Sequence, residues 1–205
     1  MEKGIKKRQP FFNGVQQREY RLVIYPDTTV YDRIMAEKQR FYMRYGIESV
    51  VKTFPYINVA GFSAGEGMDA TLIRWLHRIF GRHSCFKIVL NNFSGFPHHT
   101  IYLRIQHLQP LQKLAQELKA LDHHIHISSL AAGRWPHLAL ASELPEAVYE
   151  KAMPVYSRKT FHTCFTASEV VLLARDHPLA AFKTITVFKF LPADHNMAVL
   201  LNQIS

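Results

Sequence analysis

The sequence predicts an α+β fold built as two similar lobes. Three observations lead there. Strand and helix patterns alternate along the chain in the rough order β-α-β-α-β-β-α-β-α-β-β. Each half carries two helices and several strands, as a duplicated α+β lobe would. The 205 residues lie between one and two average domains, and 48% hydrophobic with 20% charged residues is ordinary for a globular chain.

The elements follow in order. Glu19 to Tyr25 is a β-branched and aromatic strand that ends at Pro26-Asp27. Thr29 with Asp32 resembles a capping box, and Val30, Ile34 and Phe41 then recur on one helical face until Gly46. Phe54 to Phe62 is a strand entered through a proline. Leu72, Trp75, Leu76, Ile79 and Phe80 form the face of a second helix. Cys85 to Asn91 and His99 to Ile105 are strands either side of a Ser94-Gly95-Phe96-Pro97 turn. Leu111, Leu114, Ala115, Leu118 and Leu121 space out a third helix, and His137 to Leu140 is a short strand. Pro145 suits the first position of a fourth helix facing inward through Val148, Tyr149, Ala152, Met153 and Tyr156. Phe165 to Ala174 and Phe182 to Phe190 are the last strands. A basic tail over 1–18 (Lys3, Lys6, Lys7, Arg8), a single bilobal domain over 19–192 and a tail over 193–205 complete the organisation.

Composition narrows the function. The net charge of +9 favours polyanionic partners such as nucleic acid, nucleotides or an anionic membrane surface. No apolar run reaches the ~18 residues of a membrane span, so no membrane partner is expected. The N-terminus lacks a signal-peptide core, and the two cysteines, Cys85 and Cys164, do not form a disulfide framework. A cytoplasmic location fits these features. There is no Gly-rich phosphate loop and no Gly-x-Ser-x-Gly elbow, which argues against P-loop, Rossmann and serine-hydrolase chemistry.

Two stretches share one grammar: an aromatic residue, a proline, a ring-bearing residue, then an alternating strand. They are Phe54-Pro55-Tyr56-Ile57-Asn58-Val59 and Trp135-Pro136-His137-Leu138-Ala139-Leu140, with His137 lying 81 positions after Tyr56. Alternation puts Tyr56 with Asn58, and His137 with Ala139, on faces opposite their apolar neighbours. Between the stretches, Thr100, Tyr102 and Arg104 share a strand face; if it lines the cleft, Tyr102 and Arg104 can contact a phosphate or a base, and otherwise it faces solvent. His99 falls on the Ile101 side, as a core or turn histidine. His123, His124 and His126 look like a metal tract, but a solvated loop explains them better. His77 and His83 flank a basic helix (Arg74, Arg78, Arg82) that could hold a backbone phosphate, though a solvated face explains it better.

The two stretches, and the order of elements from about Tyr20 to Phe190, resemble the 2H phosphoesterases, the family of 2′-5′ RNA ligase-like proteins and cyclic phosphodiesterases. Their signature is a repeated His-φ-(Thr/Ser)-φ, where φ is apolar. The resemblance implies two pseudo-symmetric lobes with antiparallel sheets around a central cleft. It implies two imidazoles trading protons with water and the leaving oxygen, and two hydroxyls holding the phosphoryl oxygens, with no metal and no cofactor. The expected ligand is the phosphodiester of RNA or a nucleotide, and the expected state is a monomer. The catalytic places fall on Tyr56 and His137 and the phosphate-binding places on Asn58 and Ala139, so only His137 keeps the family residue. A phosphoesterase of weak or altered activity, a non-catalytic nucleotide- or RNA-binding module and a structural or interaction protein are all open on this reading.

Overall fold

The computed structural model describes residues 17–119, 128–132 and 135–193. The basic cluster at 3–8, the three histidines at 123–126 and the segment after 193 lie outside them.

Chain order is β1 (Gln17–Ile24), α1 (Thr28–Tyr45), α2 (Glu48–Lys52), β2 (Ile57–Gly65), α3 (Asp69–Phe80), β3 (Phe86–Phe96), β4 (Thr100–Gln106) and α4 (Gln109–Lys119). It continues through β5 (Ser128–Ala132), β6 (His137–Ala141), α5 (Glu146–Ser157), β7 (His162–Ala167), β8 (Glu169–Arg175) and β9 (Lys183–Lys189). The strands form one antiparallel sheet in the order β7-β3-β4-β6-β2-β1-β8-β9, with β5 also on β2.

This sheet is two four-stranded halves, β7-β3-β4-β6 and β9-β8-β1-β2, placed edge to edge. The α+β fold with two pseudo-symmetric lobes is as the sequence predicts. The lobes interleave, however, rather than following each other: the first and last strands share one half, and the middle strands form the other. The apolar run from Phe165 to Ala174 is accordingly not one strand. It breaks at Ser168, and β7 pairs with β3 in one lobe while β8 pairs with β1 in the other. The short helix α2 and strand β5 carry too little pattern of their own to be read from sequence.

Helices cover one face of the sheet. α1 and α5 pack on the β3, β4, β6 and β7 side, and α3 and α4 on β9, β2 and β5. Tyr20, Leu22 and Ile24 of β1, Ile57 and Val59 of β2, and Leu138 and Leu140 of β6 are buried beneath these helices. A second, small cluster forms on the uncovered face, where Val23, Val171 and Leu173 meet Tyr56 and Phe182.

The cap of α1 differs from the capping box expected at Thr29. Asp27 is the N-cap, and its carboxylate accepts the Val30 N–H at 2.9 Å. Asp27 has an extended backbone and so precedes the first turn, whereas Thr29 already lies inside it. Gly46 closes the helix as predicted, at φ 72°, where its N–H reaches the Tyr42 carbonyl at 2.8 Å. Asp27→Ala is expected to cost about 1 kcal/mol, read as a lower urea midpoint at unchanged slope. None of the described helices is long and apolar enough to cross a membrane.

Candidate active site

The two lobes meet where β2 touches β6, through the single backbone pair Ile57 and Leu138. Both side chains are fully buried on the helix side. Their neighbours Tyr56, Asn58, His137 and Ala139 therefore face the other way. All four line one cavity of about 880 Å³, joined by Arg21, Lys38, Lys52, Thr53, Phe54, Ser142, Glu143 and Phe182 among others. The two stretches singled out by their shared grammar thus come together at the seam of the sheet.

His137 opens β6 and is half-buried. Its Nδ1 lies 2.7 Å from the Trp135 carbonyl. A carbonyl only accepts, so Nδ1 carries the hydrogen, and Nε2 is left to accept a proton. The ring is held by Tyr102, with centroids 5.0 Å apart, and by the edge-on ring of Phe96 at 4.9 Å. Tyr102 is paired with Ala139 across β4 and β6, which puts it on the same face as His137.

Tyr56 faces His137's lobe from the other half. Arg21 Nη1 donates to its phenol oxygen at 3.1 Å. The phenol thus accepts from a cation and keeps its own hydrogen for a ligand. Arg21 is itself fixed, its guanidinium 4.3 Å from the Phe182 ring centroid and 3.3 Å from Glu19. Lys38 of α1 is 2% exposed, and its Nζ donates to the Val50 carbonyl at 3.2 Å and to Thr53 Oγ1 at 3.0 Å. Burial lowers its pKa from the ordinary lysine value to about 8.

The other sequence candidates divide. Asn58 is exposed in the cavity, and Ala139 lines it with a methyl group. Arg104 sits opposite His137 in register but is exposed, with Nε donating to the Asn91 carbonyl at 3.3 Å, and it is not in the cavity wall. Thr100 is 5% exposed and outside that wall, its hydroxyl 2.6 Å from His99 Nδ1. His99 is an exposed turn residue. Among the described residues, no three His, Cys, Asp or Glu side chains group as a metal site. Arg21 and Lys38 are the residues that sequence reasoning missed. The signal for Lys38 was present: it stands four residues after Ile34 and three before Phe41, inside the apolar stripe of α1.

The family profile described as the 2′-5′ RNA ligase superfamily matches residues 30–178, a span that contains both seam strands. The chain belongs to the 2′-5′ RNA ligase superfamily. Its 2H phosphoesterase fold is shared by Escherichia coli LigT in complex with 3′-AMP, at 13% identity, TM-score 0.63, and coverage of 85% of this chain and 98% of LigT. LigT in complex with NADP+ matches at 13% identity, TM-score 0.61 and the same coverages. A Thermus thermophilus protein matches at 12% identity and TM-score 0.60, covering 85% of this chain and 99% of its own. No curated protein matches the chain in sequence. Among the described residues, the seam presents one imidazole, His137, and, just before the facing strand, a phenol, Tyr56, that accepts from Arg21.

Proposed function

We propose that this superfamily member binds the phosphodiester of a nucleotide or RNA end in the seam cavity and hydrolyses 2′,3′-cyclic phosphates slowly, with His137 as its proton-transfer residue. The observation that carries this reading is the 2.7 Å approach of His137 Nδ1 to the Trp135 carbonyl. Its Nδ1 hydrogen is committed to the Trp135 carbonyl, which frees Nε2 to take a proton from an attacking water. Tyr56 and Asn58 donate hydrogen bonds to the phosphoryl oxygens, and Arg21 and Lys52 supply positive charge beside them. Water forms the new P–O bond, and the ribose oxygen leaves with a proton drawn from solvent. No step runs through a metal or cofactor.

Turnover is slow for two reasons. A phenol ordinarily ionises near pH 10, so it protonates a leaving oxygen poorly. The missing second imidazole costs ~10²–10⁴-fold. The methyl group of Ala139 offers no hydrogen bond where the family places a hydroxyl, which costs about another 10²-fold. The ligand class is supported by the LigT structures, which hold 3′-AMP, NADP+ and ATP. Free Cys85 and Cys164 suit the reducing cytoplasm where we place the reaction, carried out by a monomer.

The single imidazole among the described residues of the cavity, and Ala139, also favour a second reading, a binding module without turnover. A panel of 2′,3′-cyclic nucleotides separates the two. Hydrolysis by the native protein that falls to buffer background in His137→Ala supports the enzyme. A folded native protein that binds the panel but leaves it intact is the binding module.

A further inference from the structure

Phe54 and Trp135 occupy the same place in the two stretches, each followed by proline and each three residues before the seam pair. They are also among the most exposed large apolar side chains of the described residues, at 66% and 71%. Singly, an exposed aromatic needs no explanation. A pair related by the symmetry of the fold, one lining the cavity and the other two residues before its His137, does. We propose that Phe54 and Trp135 are base-stacking platforms that fit the cleft to a single strand carrying a base on each side of the bound phosphodiester, a dinucleotide or longer. The inference rests on the phosphodiester reading of the cavity.

The seam is antiparallel, so the chain leaves Ile57 and Leu138 in opposite directions toward the two rings. At ~3.3 Å per extended residue they lie on the order of 20 Å apart, one beyond each side of the central site. That separation excludes one continuous apolar patch of the kind that docks a protein. The cavity wall carries Arg21, Lys52, Asn58 and His137, groups suited to a phosphate. Phe54 itself lines this cavity. The prolines at 55 and 136 hold the preceding backbone extended, which limits the entropy lost on stacking. The Trp135 carbonyl is further tied to the ring of His137. Each base has a π-face, so such platforms bind with little regard to sequence.

Trp75 and Trp135 are the only tryptophans, so Trp75→Phe leaves Trp135 as the sole reporter. In that background, adenylyl-adenosine is expected to quench Trp135 emission, while inorganic phosphate leaves it unchanged. By calorimetry, Phe54→Leu and Trp135→Leu are each expected to weaken adenylyl-adenosine about tenfold or more. Their effects should multiply, because the rings are far apart. Phosphate affinity should not move, and Trp135→Phe should restore most of the dinucleotide binding. Leucine variants that bind adenylyl-adenosine as well as the native protein, while Arg21→Leu loses it, overturn the platforms and leave the phosphodiester site standing. Native protein that binds neither phosphate nor dinucleotide overturns both.

Discussion

Tyr56→His combined with Ala139→Thr is expected to raise kcat/KM for 2′,3′-cyclic nucleotides about 10⁴-fold or more over the native protein. The first change supplies a second proton-transfer group, worth ~10²–10⁴-fold. The second supplies a donor to a phosphoryl oxygen, worth about 10²-fold. The surroundings decide how the two imidazoles divide the work. Arg21 Nη1 already lies 3.1 Å from the phenol oxygen of Tyr56. A nearby cation disfavours a charged imidazole. The introduced ring would therefore stay neutral and act as base, and His137 would take the acid role. Threonine fits at 139 because that position is half-buried on the cleft face, opposite Tyr102. Each single variant should fall short of the pair, since one completes the proton transfer and the other holds the phosphate. A folded double variant with no gain in turnover would show that more than these two side chains separates the cleft from a working one. The binding-module reading would then replace the enzyme.

The candidate site was legible in the sequence where local alternation decides the outcome. Ile57, Val59, Leu138 and Leu140 mark the buried faces of two strands, and that alone turns Tyr56, Asn58, His137 and Ala139 to the other side. Tyr102 was legible for the same reason, and it packs on His137. What failed was everything set by partners distant in the chain. Arg21 is one of several polar residues on β1 until the chain entering β2 brings Tyr56 within 3.1 Å of its guanidinium. Thr100 and Tyr102 were expected to share the cleft face, but the register between β4 and β6 shifts between Ile101 and Tyr102. Tyr102 packs on the ring of His137 without lining the cavity, and Thr100 is buried away from it. The interleaving of the lobes was hidden too. The run through Phe165 and Leu172 reads the same whether it serves one sheet half or crosses between two.

Raising the pH from 7 to 10 is expected to stabilise the native protein by about 2–3 kcal/mol relative to Lys38→Met. The buried amine has a pKa near 8 in the folded protein, below the 10.5 of an ordinary lysine. Between those values the unfolded chain binds more protons than the folded one, and stability rises with pH wherever that is so. Below pH 8 both states carry the charge, and the folded protein bears the full cost of burying it. The hydrogen bonds survive deprotonation. A neutral amine keeps two N–H groups, enough for the Val50 carbonyl and Thr53 Oγ1 that Lys38 meets now. Two buried phenols oppose the trend only at higher pH. Burial pushes Tyr20 and Tyr156 upward, so the folded state holds their protons more tightly and loses that advantage above pH 10. Urea midpoints of native and variant protein at pH 7, 8.5 and 10 isolate Lys38, because every other group is common to both. A stability difference that stays flat over this range would mean that Lys38 keeps its proton throughout. The same titration reaches function. Lys38 lines the cavity, so its charge favours an anion there below pH 8 and is lost above it. Phosphate affinity of the native protein should weaken across that pH, and the loss should be absent in Lys38→Met.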